Sequence, residues 1–92
     1  MFDPLLHQKI RSKLVSLLIS NEELPFKALK EILDVTDGNL SSHLSKLAKE
    51  KYIIIEKTLE GKRSKTVIKI APVGREAFER YIEVLKQFIE EN

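Results

Sequence analysis

The stretch VTDGNLSSHLSKL, residues 35–47, decides how the rest of the chain is read. Leu40, Leu44 and Leu47 fall at i, i+4 and i+7, the spacing of one face of an α-helix. The opposite face holds Gly38, Asn39, Ser41, Ser42 and Ser45, with Lys46 beside them. These types are mediocre to poor helix formers, and a helix face meant only for water would favour Ala, Glu, Lys or Arg. Thr36 stands where an N-cap is needed, with Asn39 three residues on, and Asp37 sits at the positive end of the helix dipole. The helix therefore runs from Thr36 to about Glu50, anchored by leucines and carrying an outer face of short, uncharged, hydrogen-bonding groups.

The 92 residues make a single domain over 1–92 whose folding buries only about 60–65% of the unfolded surface. The sequence has no cysteine, so neither disulfides nor thiolate metal sites are available. Lys9, Arg11 and Lys13 interrupt the apolar residues of the first twenty, so this stretch is not expected to be a signal peptide, and no apolar run reaches the ~18 residues of a membrane span. A soluble, cytoplasmic protein with no membrane partner is expected. The net charge of +2 is unevenly spread. Residues 51–70 carry Lys51, Lys57, Lys62, Arg63, Lys65 and Lys69 against Glu56 and Glu60, a local excess of four. Lysines on strands resist edge-to-edge aggregation, and an excess of this size also suits a polyanion.

Outward from the opening stretch, the remaining elements follow. Asp3-Pro4 has the form of an N-cap followed by proline at the first helical position. Leu6, Ile10, Leu14, Leu17 and Leu18 then form a helical stripe that ends near SNEELP, a turn signal. A second helix covers FKALKEIL, and only Asp34-Val35 separates it from Thr36, so the two helices must meet at a steep angle. After the third helix, YIIIEKTL and KTVIKI read as strands, with Val67 and Lys69 on one face and Thr66, Ile68 and Ile70 on the other. EGKRS between them places Gly61 in a basic tip. Pro72 opens a last helix bearing Ala77, Phe78, Tyr81, Ile82, Leu85, Phe88 and Ile89.

The order helix, helix, helix, hairpin, helix has a geometric use. The second helix of a helix-turn-helix fits the DNA major groove, about 12 Å wide, and a following hairpin reaches the flanking backbone or minor groove. A helix in that position needs short polar side chains that approach base edges, and little bulk near its N-terminus, where backbone N–H groups can meet phosphate. Gly38, Asn39, Ser41 and Ser42 satisfy both needs, and Asn39 has the donor–acceptor pair that matches adenine. Lys46 suits a phosphate, and Arg63, supported by Lys62 and Lys65, suits a minor-groove or backbone contact.

The motifs TDGNLSSHLSKLAKEKYI, EGKRSKT and IAPVGREAF together resemble the winged-helix core of MarR- and ArsR-type transcriptional regulators, above all the short stand-alone winged-helix proteins of archaea. The likeness covers residues 5–90. It implies a mainly α fold, a winged helix-turn-helix with an additional C-terminal helix, and double-stranded DNA as partner. It places DNA contacts on Asp37, Gly38, Asn39, Ser41, Ser42, Ser45 and Lys46, with Thr36 at the head of the helix, and on Arg63 of the wing. It also implies a homodimer through the first and last helices, residues 5–19 and 73–90, with Leu6, Ile10, Phe78, Tyr81, Ile82, Leu85, Phe88 and Ile89 at the interface. The broad apolar arc of the last helix, continuing through Phe88 and Ile89, agrees with that.

Two features depart from the family pattern. The first two turns of the recognition helix carry no Arg or Lys, and Asp37 would oppose phosphates, so affinity is expected to lean on the wing and to depend strongly on salt. The cysteine pair of metal-sensing relatives is missing. His7 and His43 lie in different helices without acidic neighbours at ligand spacing, so no metal or cofactor is expected, and His43 is assigned a packing or hydrogen-bonding place behind the recognition helix. No phosphate loop, nucleophile elbow or paired carboxylate supports an enzyme. The rival reading is a winged helix serving as a protein-interaction module within a larger transcription or chromatin complex. No residue names a small-molecule effector.

Overall fold

The computed structural model describes residues 2–91. Its elements are α1 (Lys9–Asn21), β1 (Glu23–Pro25), α2 (Phe26–Leu33), α3 (Asp37–Lys49), β2 (Ile53–Glu60), β3 (Arg63–Ile70) and α4 (Pro72–Glu90). This is the expected mainly α winged helix-turn-helix with a fourth helix after the hairpin. Two boundaries near the N-terminal end differ from expectation, each for a visible reason, and β3 starts at Arg63, two residues before KTVIKI.

The first helix does not begin at Asp3-Pro4. Asp3 caps a turn, its carboxylate accepting the Leu5 and Leu6 N–H groups at 2.9 and 3.4 Å. The Arg11 guanidinium then takes the Leu5 carbonyl at 2.7 Å, the acceptor a continuous helix would offer to the Lys9 N–H. Gln8 adopts extended backbone and becomes the real N-cap, its side chain accepting the Arg11 N–H at 2.7 Å. The second difference lies in SNEELP. Glu22 turns the chain with φ 66°, and Glu23–Pro25 forms a short strand rather than a plain turn.

That strand pairs with β3, Leu24 opposite Ile68, giving an antiparallel sheet of order β1-β3-β2. Three residues are too few to show alternation, and Pro25 is tolerated because the strand is an edge. As the central strand, β3 buries both Val67 and Ile68 although they point to opposite faces. The hairpin turn is only two residues long. Glu60 pairs with Arg63, and Gly61 supplies the positive φ of 67° at the first turn position.

The core is built from every helix and the base of the sheet. Leu6, Leu14, Leu18, Leu29, Leu40, Leu47 and Ile68 are fully shielded from water, each Leu or Ile contributing roughly 1.5–3 kcal/mol by burial. The helix-turn-helix is held by Leu29 and Leu33 of α2 and Leu40, Leu44 and Leu47 of α3. The end of α3 closes with the paired hydrogen bonds of a Schellman motif, Tyr52 N–H to Leu47 O and Lys51 N–H to Ala48 O, both 3.0 Å, with Lys51 at φ 63°. Tyr52 then locks the start of the hairpin to α4. Its carbonyl accepts the Ala71 N–H at 3.1 Å and lies so close to Gly74 that a Cβ there would overlap it. Its hydroxyl donates to the Asp3 carboxylate at 2.6 Å, and burial together with that bond pushes the phenol up to about 12.

Candidate nucleic-acid interface

The outer face of α3 is presented as its spacing requires. Leu40, Leu44 and Leu47 point inward, while Thr36, Asp37, Gly38, Asn39, Ser41, Ser42, Ser45 and Lys46 are all exposed. Thr36 is the N-cap, its hydroxyl accepting the Asn39 N–H at 3.1 Å, which leaves the N–H groups of Asp37 and Gly38 at the open end of the helix. Asn39 contributes its backbone to the cap, and its side chain stays on the surface. A Cβ at Gly38 would meet nothing within 4 Å, so packing does not require glycine at this position.

Asp37 is not the bare charge the sequence suggests. Lys30 of α2 reaches it at 2.9 Å, so the acidic residue at the head of the helix arrives already paired. The link crosses the turn between the two helices, where no helical or strand spacing announces it. His43 also has a more particular setting than a place behind the helix. It is half-buried at the edge of the exposed face and within hydrogen-bonding reach of Arg11 from α1, Nη1 to Nδ1 at 3.2 Å. Burial, then the Arg11 and Lys46 charges, hold its pKa below the ordinary 6.5.

The wing supplies a second group. Lys62, Arg63 and Lys65 are exposed at or beside the tip. Lys65 lies 3.9 Å from Glu60, a loose surface pair, whereas Lys62 and Arg63 make no ion pair among the described residues. Lys69, counted in the same basic stretch, belongs to the base of the sheet. It bridges Glu56 at 3.1 Å and Glu23 at 3.9 Å, and the Glu56 bond raises its pKa. Lys62 and Arg63 thus place positive charge at the outer end of the hairpin, with Lys57 exposed farther down β2. No hydrogen bond or ion pair joins the wing-tip residues to the α3 face among the described residues.

The residues expected at a dimer interface divide into two sets. Leu6 and Tyr81 lie within the chain's own core, and Ile10, Phe78 and Leu85 are packed partly against it. Ile82, Phe88 and Ile89 remain 43, 47 and 66% exposed along the far part of α4. The segment before α1 covers some of that helix. Phe2 stacks on His7 with centroids 4.4 Å apart and meets Tyr81 and Phe88 edge-on, while His7 Nδ1 and the Tyr81 hydroxyl are 3.1 Å apart. Among the described residues no three His, Asp or Glu side chains gather as a metal site, and no helix is long and apolar enough to cross a membrane.

Comparison with known proteins agrees with this geometry. The family model described as winged helix DNA-binding domain matches residues 10–89. An uncharacterized protein of Methanocaldococcus jannaschii is 44% identical over 73 residues, which cover 79% of each chain. Among solved structures, a transcriptional regulator homologue from Pyrococcus horikoshii superposes with a TM-score of 0.89 at 29% identity, covering 95% of this chain and 86% of that one. A mutant MarR from E. coli in complex with operator DNA shares the fold, with a TM-score of 0.78 at 19% identity, covering 96% of this chain and 62% of the other.

Proposed function

The chain belongs to the winged-helix DNA-binding domain family, and from that premise we propose that it is a sequence-selective transcriptional regulator acting as a homodimer on double-stranded DNA. In this reading α3 enters the major groove, where Asn39, Ser41 and Ser42 face base edges and the open N–H groups at Asp37 and Gly38 meet a phosphate. Lys46 neutralises a second phosphate, and Arg63 with Lys62 clamps the flank. The observation that carries the reading is the outer face of α3, which is small and uncharged at positions where packing leaves the choice free, Gly38 above all. The Lys30 pair lessens the objection that Asp37 would repel the backbone. The fold is shared with a MarR protein captured on operator DNA, and the proposal takes the same class of partner.

The dimer is built around Ile82 and Ile89, the apolar side chains left exposed on the far part of α4, with Leu85 and Phe88 beside them. Two α3 helices then address half-sites about one turn apart, roughly 34 Å, and the target is pseudo-palindromic. The deciding experiment is binding of the purified protein to its own upstream DNA and to random DNA at several salt concentrations. Selective binding that weakens steeply with salt is expected, and Arg63→Ala lowers affinity for every sequence and reduces the salt slope by about 1. Binding that ignores sequence defeats selectivity. No binding at low salt leaves the protein-interaction module, which the lack of Arg and Lys in the first two turns of α3 would then favour.

A further inference from the structure

Arg11 belongs to α1, yet its guanidinium makes two contacts outside that helix. Nε donates to the Leu5 carbonyl at 2.7 Å, and Nη1 lies 3.2 Å from Nδ1 of His43 on α3. A guanidinium only donates, so Nδ1 accepts and the imidazole carries its proton on Nε2. Among the described residues no hydrogen bond uses Nε2 and no buried side-chain nitrogen or oxygen lacks a partner, so Nε2 is not sealed from water. Position 43 neighbours Asn39 and Lys46 on one side and Leu40 and Leu47 on the other, the border between the outer and inner faces of α3.

We propose that Arg11 is a positioning residue for the DNA-facing helix: it holds His43 neutral, in a single tautomer, with Nε2–H turned toward the DNA side, and so makes discrimination between sequences depend on protons. The inference rests on the DNA-binding reading above and adds to it a donor and a control. Two charges face the ring, Arg11 from α1 and Lys46 from its own helix, and among the described residues no carboxylate offsets them. Neutral His43 accepts from Arg11 and offers one N–H outward. Once protonated, Nδ1 carries its own hydrogen, the contact with Arg11 turns from attraction to repulsion, and the side-chain tie between α1 and the edge of α3 is broken. Leu5 stays on Arg11, so the segment before α1 is coupled to the same event.

The test starts from a pool of random duplexes, from which the full chain selects its preferred sequence at pH 8. Affinity for the enriched duplex and for a shuffled duplex of equal composition is then measured from pH 8 to pH 5, with circular dichroism at each pH to follow folding. The ratio of the two affinities is expected to fall by about tenfold in the wild type, the value of one lost base contact. It stays level in His43→Gln, which can accept from Arg11 but does not titrate. Arg11→Lys keeps the charge but loses the fork, and it shows the reduced ratio already at pH 8. That arm decides the matter even if glutamine is not tolerated at position 43. The same pH profile in wild type and His43→Gln, or full discrimination in Arg11→Lys, overturns the inference and leaves the DNA reading standing. Failure to enrich any duplex at pH 8 overturns the DNA reading, and this inference with it.

Discussion

Gly38 and Gly74 hold matching places, the second residue of α3 and the third of α4, in opposite surroundings. Around Gly74 the Tyr52 backbone leaves no room for a methyl group, while around Gly38 there is open space. Glycine in a helix costs about 0.5–1 kcal/mol relative to alanine. At Gly74 that cost is offset by a close approach that fastens the hairpin to the last helix. At Gly38 no close packing calls for glycine, and the proposed approach to DNA supplies a reason for it. The two first turns differ in the same way beyond the glycines. That of α4 is set by the Tyr52 carbonyl and the Ala71 N–H, whereas that of α3 displays a capped but open row of small polar groups.

The contrast is most easily broken at Gly74. Gly74→Ala adds helix propensity and should still destabilise by about 3 kcal/mol, because backbone rather than a flexible side chain blocks the methyl. A shift of the urea midpoint measures this, and an unchanged or raised midpoint would show that the junction gives way easily. The next largest effect is expected at Asn39. Asn39→Ala removes an exposed side chain, so stability should hold, while discrimination at one base position falls by about 1–3 kcal/mol in competition binding. Loss of stability with discrimination intact would return Asn39 to the fold. Gly38→Ala comes third and carries both halves of the comparison. It should stabilise the protein by up to about 1 kcal/mol and weaken DNA binding. A variant that is both more stable and equally tight on DNA would remove the outside reason for the glycine.

The sequence is legible where structure is local. Thr36 as N-cap and three leucines at helical spacing are enough to orient α3, and β-branched runs around Gly61 are enough for the wing. What escapes is set by contacts between distant residues. β1 exists because β3 offers it an edge, and its three residues carry no period of their own. The break before α1 comes from Arg11 claiming the Leu5 carbonyl, which the Asp3-Pro4 signal does not disclose. Lys30 finds Asp37 across a turn whose angle is fixed by packing, and His43 finds Arg11 from a position thirty-two residues away. Gly74 looks dispensable until the Tyr52 carbonyl is placed beside it. Which residues face outward could be read from spacing. How their charges are paired could not.

The smallest expected effect tests the inner edge of α3, opposite in kind to its open first turn. Because burial, Arg11 and Lys46 depress the pKa of His43, the folded protein resists a proton that the unfolded chain accepts near the ordinary 6.5. The contribution is fully present above that value and is lost as the pH falls through the depressed folded pKa. Carboxylates change protonation at lower pH as well, so the informative quantity is the difference between wild type and His43→Gln. Above pH 7 the gap between their melting temperatures should be constant, and below about 6.5 it should move against the wild type. If the gap does not change down to pH 5, Arg11 holds His43 no more tightly than water does. The border of α3 would then belong with the open face around Gly38 rather than with the fastened junction at Gly74.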